Sequence, residues 1–305
     1  MSNDKFKGIA CGVLSAVFYG MNPLFGLPLY RRGMTTYNVL FYRFLFAMFL
    51  MGGLLIVRRK PFRLGRKHLL PSVFSGFLLA FTCLTLFLSY WHLDAGIGAV
   101  ILFVYPIMVA LIMRIFYHEK LKAATCLGMI FSLGGIALLY QPGGSGKFSV
   151  AGVVYVLLSA LIYAVYIVNI RQSALRELPS ETMTFFAMLF GLPFFLLFLR
   201  GGIDLQLPPD LFSWGCVMGL ACCPALLSFL LAAVSVHYIG PTMTAVLGAC
   251  EPVTAVLIGV LVFGETLSPR QILGIIVILG AVTLAVAVKQ KSPGPSEDRP
   301  EHSNG

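Results

Sequence analysis

GPTMTAVLGACEPVTAVLIGVLVFGETL, residues 240–267, is an apolar run broken by one acid, Glu251, with Pro252 directly behind it and a second acid, Glu265, near its end. The pattern occurs once before. Residues 91–140 align with residues 237–286 without a gap, at an offset of 146, and 13 of those 50 positions are identical. The identities include Pro106/Pro252, Glu119/Glu265, Gly128/Gly274 and Gly134/Gly280. Glu251 falls on Tyr105, so the second copy carries a charge where the first carries a phenol.

The rest of the chain is equally apolar. Its 305 residues are 58% hydrophobic and 11% charged, against roughly 25% charged in soluble domains. A soluble core of this size cannot hide so much apolar sequence, and an all-α integral membrane protein is the natural reading. The net charge of +10 invites a nucleic-acid partner, but the placement of the basic residues argues against one. Seven cysteines all lie inside apolar runs with no metal-ligand spacing. They read as small packing residues, and no metal or cofactor is expected.

Apolar segments predict ten transmembrane helices. The first, Gly8–Tyr30, is too long for the apolar region of a signal peptide, which runs ~7–15 residues. Then come Tyr37–Val57, Leu69–Leu93, Ala95–Met113, Ala123–Tyr140, Phe148–Ile170 and Thr182–Leu199. Residues 211–264 hold a single charge and exceed one span of ~20 residues. They divide at His237–Pro241, where Gly and Pro end a helix. Gln271–Val288 is last. Residues 289–305 read as a disordered cytoplasmic tail.

Lys and Arg concentrate in cytoplasmic loops. With the N-terminus inside, 17 basic residues are assigned inside, Arg270 among them, and four outside, at Arg31, Arg32, Lys147 and Arg200. Both termini are therefore expected in the cytoplasm of a multi-pass cell-membrane protein. The basic residues set topology and meet anionic lipid, which accounts for the net charge without nucleic acid. Residues 8–20 also match residues 152–164 at an offset of 144, with Gly8, Leu14, Ser15, Ala16 and Tyr19 recurring. The chain thus divides into units 7–140 and 150–288 of five helices each. Five is odd, so the second unit is inverted relative to the first, a construction of secondary transporters with a site near the midplane.

Ten helices, two five-helix repeats and the paired endings PIMVALIMRIFYHEKL and PVTAVLIGVLVFGETL resemble the EamA-type members of the drug/metabolite transporter superfamily. The resemblance covers about residues 7–288. It implies a basket of ten helices around a central cavity. It also implies export or exchange of small metabolites, amino acids among them. His118 and Lys120 flank Glu119 where that family more usually has Gly and Arg.

Most polar groups have a structural explanation. Glu119 and Glu265 are read as interfacial acids at cytoplasmic helix ends, and His92 and His237 as snorkelling at outer ends. The loop QPGGSGKF, 141–148, lacks the first Gly of a phosphate-binding loop and is read as a hairpin. Glu251 differs, because a charge at the bilayer centre costs ~2.5–3.5 kcal/mol on insertion scales and usually faces a cavity or a partner. Arg43 is the other ionisable group within a span, and at 1.5 Å per residue the two depths differ by only ~6 Å. The pair is either structural or part of a substrate-binding or coupling site. Asn22, ahead of Pro23, is placed with them, since a proline frees backbone groups that can line a cavity. Tyr19, Tyr42, Tyr90, Trp91, Tyr105, Tyr163 and Tyr166 are candidate cavity walls, Asn169 is a weaker polar candidate, and Pro106 and Pro252 are candidate bends.

Three classes of function stay open: a small-metabolite transporter, a membrane-embedded enzyme, and a lipid flippase or helper subunit of the same fold. The sequence holds no HExxH, no GxSxG and no cluster of intramembrane acids, so an enzyme is not expected. The expected partners are a small-molecule solute and the lipid bilayer.

Overall fold

The computed structural model describes residues 3–60, 62–118, 123–139 and 149–290. Among these residues the chain is helical, with no strand. The α-helices are α1 Asn3–Gly20, α2 Asn22–Arg31, α3 Thr36–Val57, α4 Arg66–Ser89, α5 Ala95–Leu102, α6 Tyr105–Tyr117 and α7 Ala123–Leu139. They continue with α8 Val150–Gln172, α9 Ser180–Phe198, α10 Leu211–Leu220, α11 Ser228–Leu247, α12 Cys250–Phe263 and α13 Pro269–Gln290. Seven helical stretches are long and apolar enough to cross a membrane. Three shorter apolar helices, Cys126–Leu139, Cys250–Phe263 and Pro269–Leu284, accompany them. Glu119, the 141–148 loop and the 291–305 part of the tail lie outside the described residues.

Proline sets where the spans break. It has no N–H for the helical ladder, and its ring clashes with the carbonyl four residues back. For Pro106 that carbonyl is Leu102's, and α5 stops at Leu102. For Pro252 it is Gly248's, and the chain is non-helical at 248–249. Each proline therefore sits in the first turn of a fresh helix, α6 or α12, where a missing N–H costs nothing. Pro23 occupies the same position in α2, which splits the first span at Met21. Pro224 lies within a π-helical turn, Ala221–Leu227, between α10 and α11. That turn holds one residue more than the α ladder needs.

The long segment from 211 also doubles back. Ser235 and Thr244 share a hydrogen bond at 2.8 Å, although nine residues of straight helix would separate them by ~13.5 Å. A Cβ on Gly12 of α1 would meet both Ser235 and Leu247. The chain thus reverses within 236–243, at the His-Tyr-Ile-Gly-Pro segment, and both limbs pack on α1.

Close packing relies on small residues, since lipid supplies no hydrophobic drive between helices. Gly135 of α7 and Gly274 of α13 each lie against the other's carbonyl, while Gly76 of α4 lies against the Ala187 carbonyl and Gly191 N of α9, and Gly191 against the Gly76 carbonyl. Hydroxyls add a second kind of link. Ser15 Oγ of α1 donates to Ser228 O at the start of α11, 2.8 Å. Thr82 Oγ1 of α4 donates to Ser159 O of α8 at 2.7 Å, and Ser159 Oγ donates back to Thr82 O at 2.8 Å. Ser15 and Ser159 are separated by the short-repeat offset of 144, and Thr82 and Ser228 by the long-repeat offset of 146. The two pairs are equivalents.

The two ends of the bundle are tied by ion pairs. On one end Arg58 pairs with Glu181 at 2.7 Å, and Lys67 pairs with Glu177. On the other, Arg32 forks onto Asp210, which also caps α10 by accepting from Ser213 N at 2.7 Å. Exposed pairs of this kind contribute at most ~1 kcal/mol each. Their use is to mark which loops share a face.

That criterion corrects one expectation. Glu265 accepts from Ala95 N at 2.9 Å and from Gly96 N at 3.3 Å. It therefore shares the face of the 90–94 turn and not that of loop 58–65. Gln271 Nε2 reaches Leu139 O, and Arg270 reaches Ala137 O, which puts the start of α13 on that same face. Glu265, Ser268 and Arg270 do not sit with the cytoplasmic basic residues. An uninterrupted count of crossings through the reversal at 236–243 would have shown this. Moving Arg270 leaves 16 basic residues against five, so the asymmetry survives. On a Cys-free background, Leu207→Cys and Pro269→Cys are expected to react with a membrane-impermeant maleimide from one side. Arg63→Cys is expected to react from the other. Labelling of Pro269→Cys together with Arg63→Cys would contradict this arrangement of faces.

Candidate functional site

Three broken spans and two hydroxyl-linked pairs surround a cavity of about 220 Å³. Its wall includes Tyr19 at the end of α1, Arg43 of α3, Tyr105 at the start of α6, Tyr163 of α8 and Glu251 at the start of α12. The break before Pro252 turns Glu251 into a first-turn residue, so its side chain leaves from the N-terminal end of α12 rather than from mid-helix. Gly20 lets α1 come this close. A Cβ there would stand 2.5 Å from Glu251 O, inside van der Waals contact. Tyr105 meets Tyr163 edge-on with ring centroids 4.8 Å apart.

Arg43 is 4% exposed. Among the described residues no hydrogen bond or ion pair reaches its guanidinium, and its one partner is the Phe87 ring, 5.5 Å below. A cation–π contact supplies ~0.5–2 kcal/mol, whereas a buried charge stripped of its partner costs ~3–5 kcal/mol. Phe87 does not offset the burial. The Glu251 carboxylate likewise makes no hydrogen bond or ion pair among the described residues, and its backbone N–H is satisfied by Gly248 O at 3.0 Å. The two charges line one cavity without forming an ion pair within 4.0 Å. Both also break the internal repeat: Tyr105 stands where the offset puts Glu251, and Leu189 where it puts Arg43.

The remaining candidates divide. Tyr19, Tyr105 and Tyr163 are on the wall. Tyr166 stacks behind Tyr163 at 5.7 Å and is buried outside the cavity lining. Tyr42 faces away, packed against Trp214 at 5.8 Å. Asn22 is turned back on its own chain, donating to Tyr19 O at 2.7 Å. It braces the break before Pro23 from behind the wall, so the carbonyl that proline frees is taken up locally. Tyr90 and Trp91 line a separate vestibule of about 470 Å³ together with Arg31, Asp94 and Glu265. Asn169 bonds Ser75 Oγ at 2.8 Å and Pro71 O at 3.2 Å, which ties α8 to α4. His92 stacks on Tyr155. The sequence reading missed Ser15, Thr82, Ser159, Ser228 and Thr244, all on the wall. Ser15 already recurred in the short repeat, which was the available signal.

A profile of the EamA-like transporter family matches the chain twice, over residues 6–141 and 150–287. The chain belongs to the EamA-like transporter family. An "Uncharacterized transporter" of Archaeoglobus fulgidus is 28% identical over 282 residues, covering 91% of this chain and 96% of the relative. An "Uncharacterized transporter YxxF" of Bacillus subtilis is 22% identical, with 95% and 92% covered. A solved crystal structure, 18% identical, superposes with a TM-score of 0.67 over 93% of this chain and 99% of its own, a likeness of fold. This EamA-family chain is a multi-pass membrane protein of transporter type.

The hydroxyl links give a quantitative expectation. Hydrogen bonds between membrane helices average ~0.6 kcal/mol and reach ~1.7. The double variant Thr82→Val with Ser159→Ala removes both bonds of the reciprocal pair and is expected to destabilise by about 1–2 kcal/mol in detergent. Ser15→Ala is expected to cost less. Thermal unfolding followed by size exclusion measures both. Equal losses would contradict the reciprocal geometry at Thr82 and Ser159.

Proposed function

We propose that this chain is a secondary transporter of small metabolites, amino acids or related solutes, working by alternating access as an exporter or exchanger. Its ten helices form two inverted five-helix units, with both termini cytoplasmic. The observation that carries this reading is the pair of unpartnered charges, Arg43 and Glu251, on the wall of one cavity. A structural ion pair would close on itself. Two opposite charges held apart, on a wall that also carries tyrosines and hydroxyls, instead fit a solute that brings both complements. Its carboxylate would meet Arg43 and its ammonium Glu251. The recurring hydroxyl links support two equivalent units that rock about this site. Arg43 and Glu251, each on one unit, then tell the solute's two ends apart.

The test is flux in liposomes. Losing one charge-assisted hydrogen bond, worth ~1.5–3 kcal/mol, weakens binding by about 10–150-fold. Glu251→Gln and Arg43→Gln are each expected to elute as monodisperse protein and to lose uptake to that extent at low solute concentration. The double variant is expected to be no better than either single one. If the two residues serve only the fold, each single change is instead expected to lower the yield of folded protein, and the double change to restore it. Movement of labelled lipid without solute flux would favour a flippase.

A further inference from the structure

One acid on the wall of the vestibule ties two helices together. Glu265 follows the end of α12 and reaches across to α5, where its two carboxylate oxygens accept from Ala95 N and Gly96 N at 2.9 and 3.3 Å. The fit is tight on both sides. A Cβ on Gly259 of α12 would stand 2.1 Å from Glu265 Oε2, and one on Gly96 would stand 3.1 Å from the same atom. Tyr90, 4% exposed, lines this vestibule. It stands in the fields of Arg43, Glu251 and Glu265. No hydrogen bond to its hydroxyl is found among the described residues. Tyr90 is thus part of the vestibule wall, and Glu265 the tie across that space.

We propose that Glu265 is a positioning residue of the transport path, a latch that holds α12 to α5 and closes the mouth on the face of the 90–94 turn, and that it takes up a proton on closing. The proposal rests on the transport reading of the cavity. The charged and titratable groups that share the vestibule are Asp94 before α5, Arg31 and Tyr30 at the end of α2, and Tyr90 after α4. Arg31 lies over the Phe263 ring at 5.2 Å. Burial, and then the like charge of Asp94, push the Glu265 carboxyl up to about 7, against the pull of the two amides. Once the mouth opens, water restores its ordinary value near 4.5. A group whose affinity for protons is higher in the closed form makes closing acid-favoured. The closed form is fully favoured below the open-state value, and that preference is lost as pH rises through the closed-state value. The neutral acid still accepts from an α5 amide through its C=O. The latch therefore survives protonation and gives way when it must carry a charge in a dry place.

Accessibility of the cavity tests this without any substrate, so a negative result is distinguishable from failure of the transport reading. Leu86 lines the cavity, and Leu86→Cys on a Cys-free background reports its opening to an impermeant thiol reagent added at that face. The same thiol in two backgrounds cancels its own titration. While the open form is the minority, its population is expected to rise about tenfold between pH 6 and pH 8 by linkage. Glu265→Gln is expected to remove that rise, and Asp94→Asn to move its midpoint to lower pH. The same rise in Glu265→Gln, or no rise in the parent beyond the thiol's own, would overturn the proposal. Should Glu265→Gln not fold, an unmoved midpoint in Asp94→Asn would overturn it equally.

Discussion

The constraint behind this fold is that a backbone in lipid must satisfy its own hydrogen bonds. A span can break only where protein or a cavity receives the freed groups. Pro23, Pro106 and Pro252 each force such a break, and all three breaks lie at or beside the central cavity. The consequences follow in sequence. The broken ends give Glu251 and Tyr105 first-turn positions from which side chains enter the space. Gly20 then allows α1 to close against the new end of α12, and Asn22 takes up the carbonyl freed behind it. The cavity is what these backbone breaks leave behind.

Symmetry and its violation divide the labour within that space. The hydroxyl links Ser15–Ser228 and Thr82–Ser159 are equivalents under the repeat offsets, and so are Tyr19 and Tyr163. These groups join helices and shape walls, tasks that both halves share. Arg43 and Glu251 have no charged counterparts. A site built only from repeated residues would present the same chemistry twice. The two exceptions give the cavity a direction.

The sequence carried the all-helical, membrane-spanning character of the chain because bilayer thickness fixes the length of apolar runs. It carried the break sites because proline has one steric consequence wherever it occurs. Glu251 and Arg43 were legible because charges are rare and costly in a span. Aromatic residues were not so legible. Tyr42 and Tyr105 look alike in sequence, yet one packs on Trp214 and the other lines the cavity, because helix rotation, which no composition reveals, decides between them. The hydroxyl links were hidden for a different reason: serine and threonine are common in membrane helices, and only a partner's position makes one matter. Glu265 was misplaced although the break at His237–Pro241 is legible in the sequence: its face depends on counting that crossing, which puts the loop after residue 264 opposite the cytoplasmic side.

The π-helical turn at Ala221–Leu227 has a consequence for length. It absorbs a surplus residue locally, leaving the helices on either side in phase with each other. A relative lacking one residue there would close the turn into ordinary α-helix and still present Ser228 to Ser15. A deletion anywhere else in α10 or α11 would swing the following side chains by about 100° and carry that hydroxyl out of reach. Gaps between this chain and its relatives should therefore collect at Pro224 and its neighbours, where the helix already holds slack.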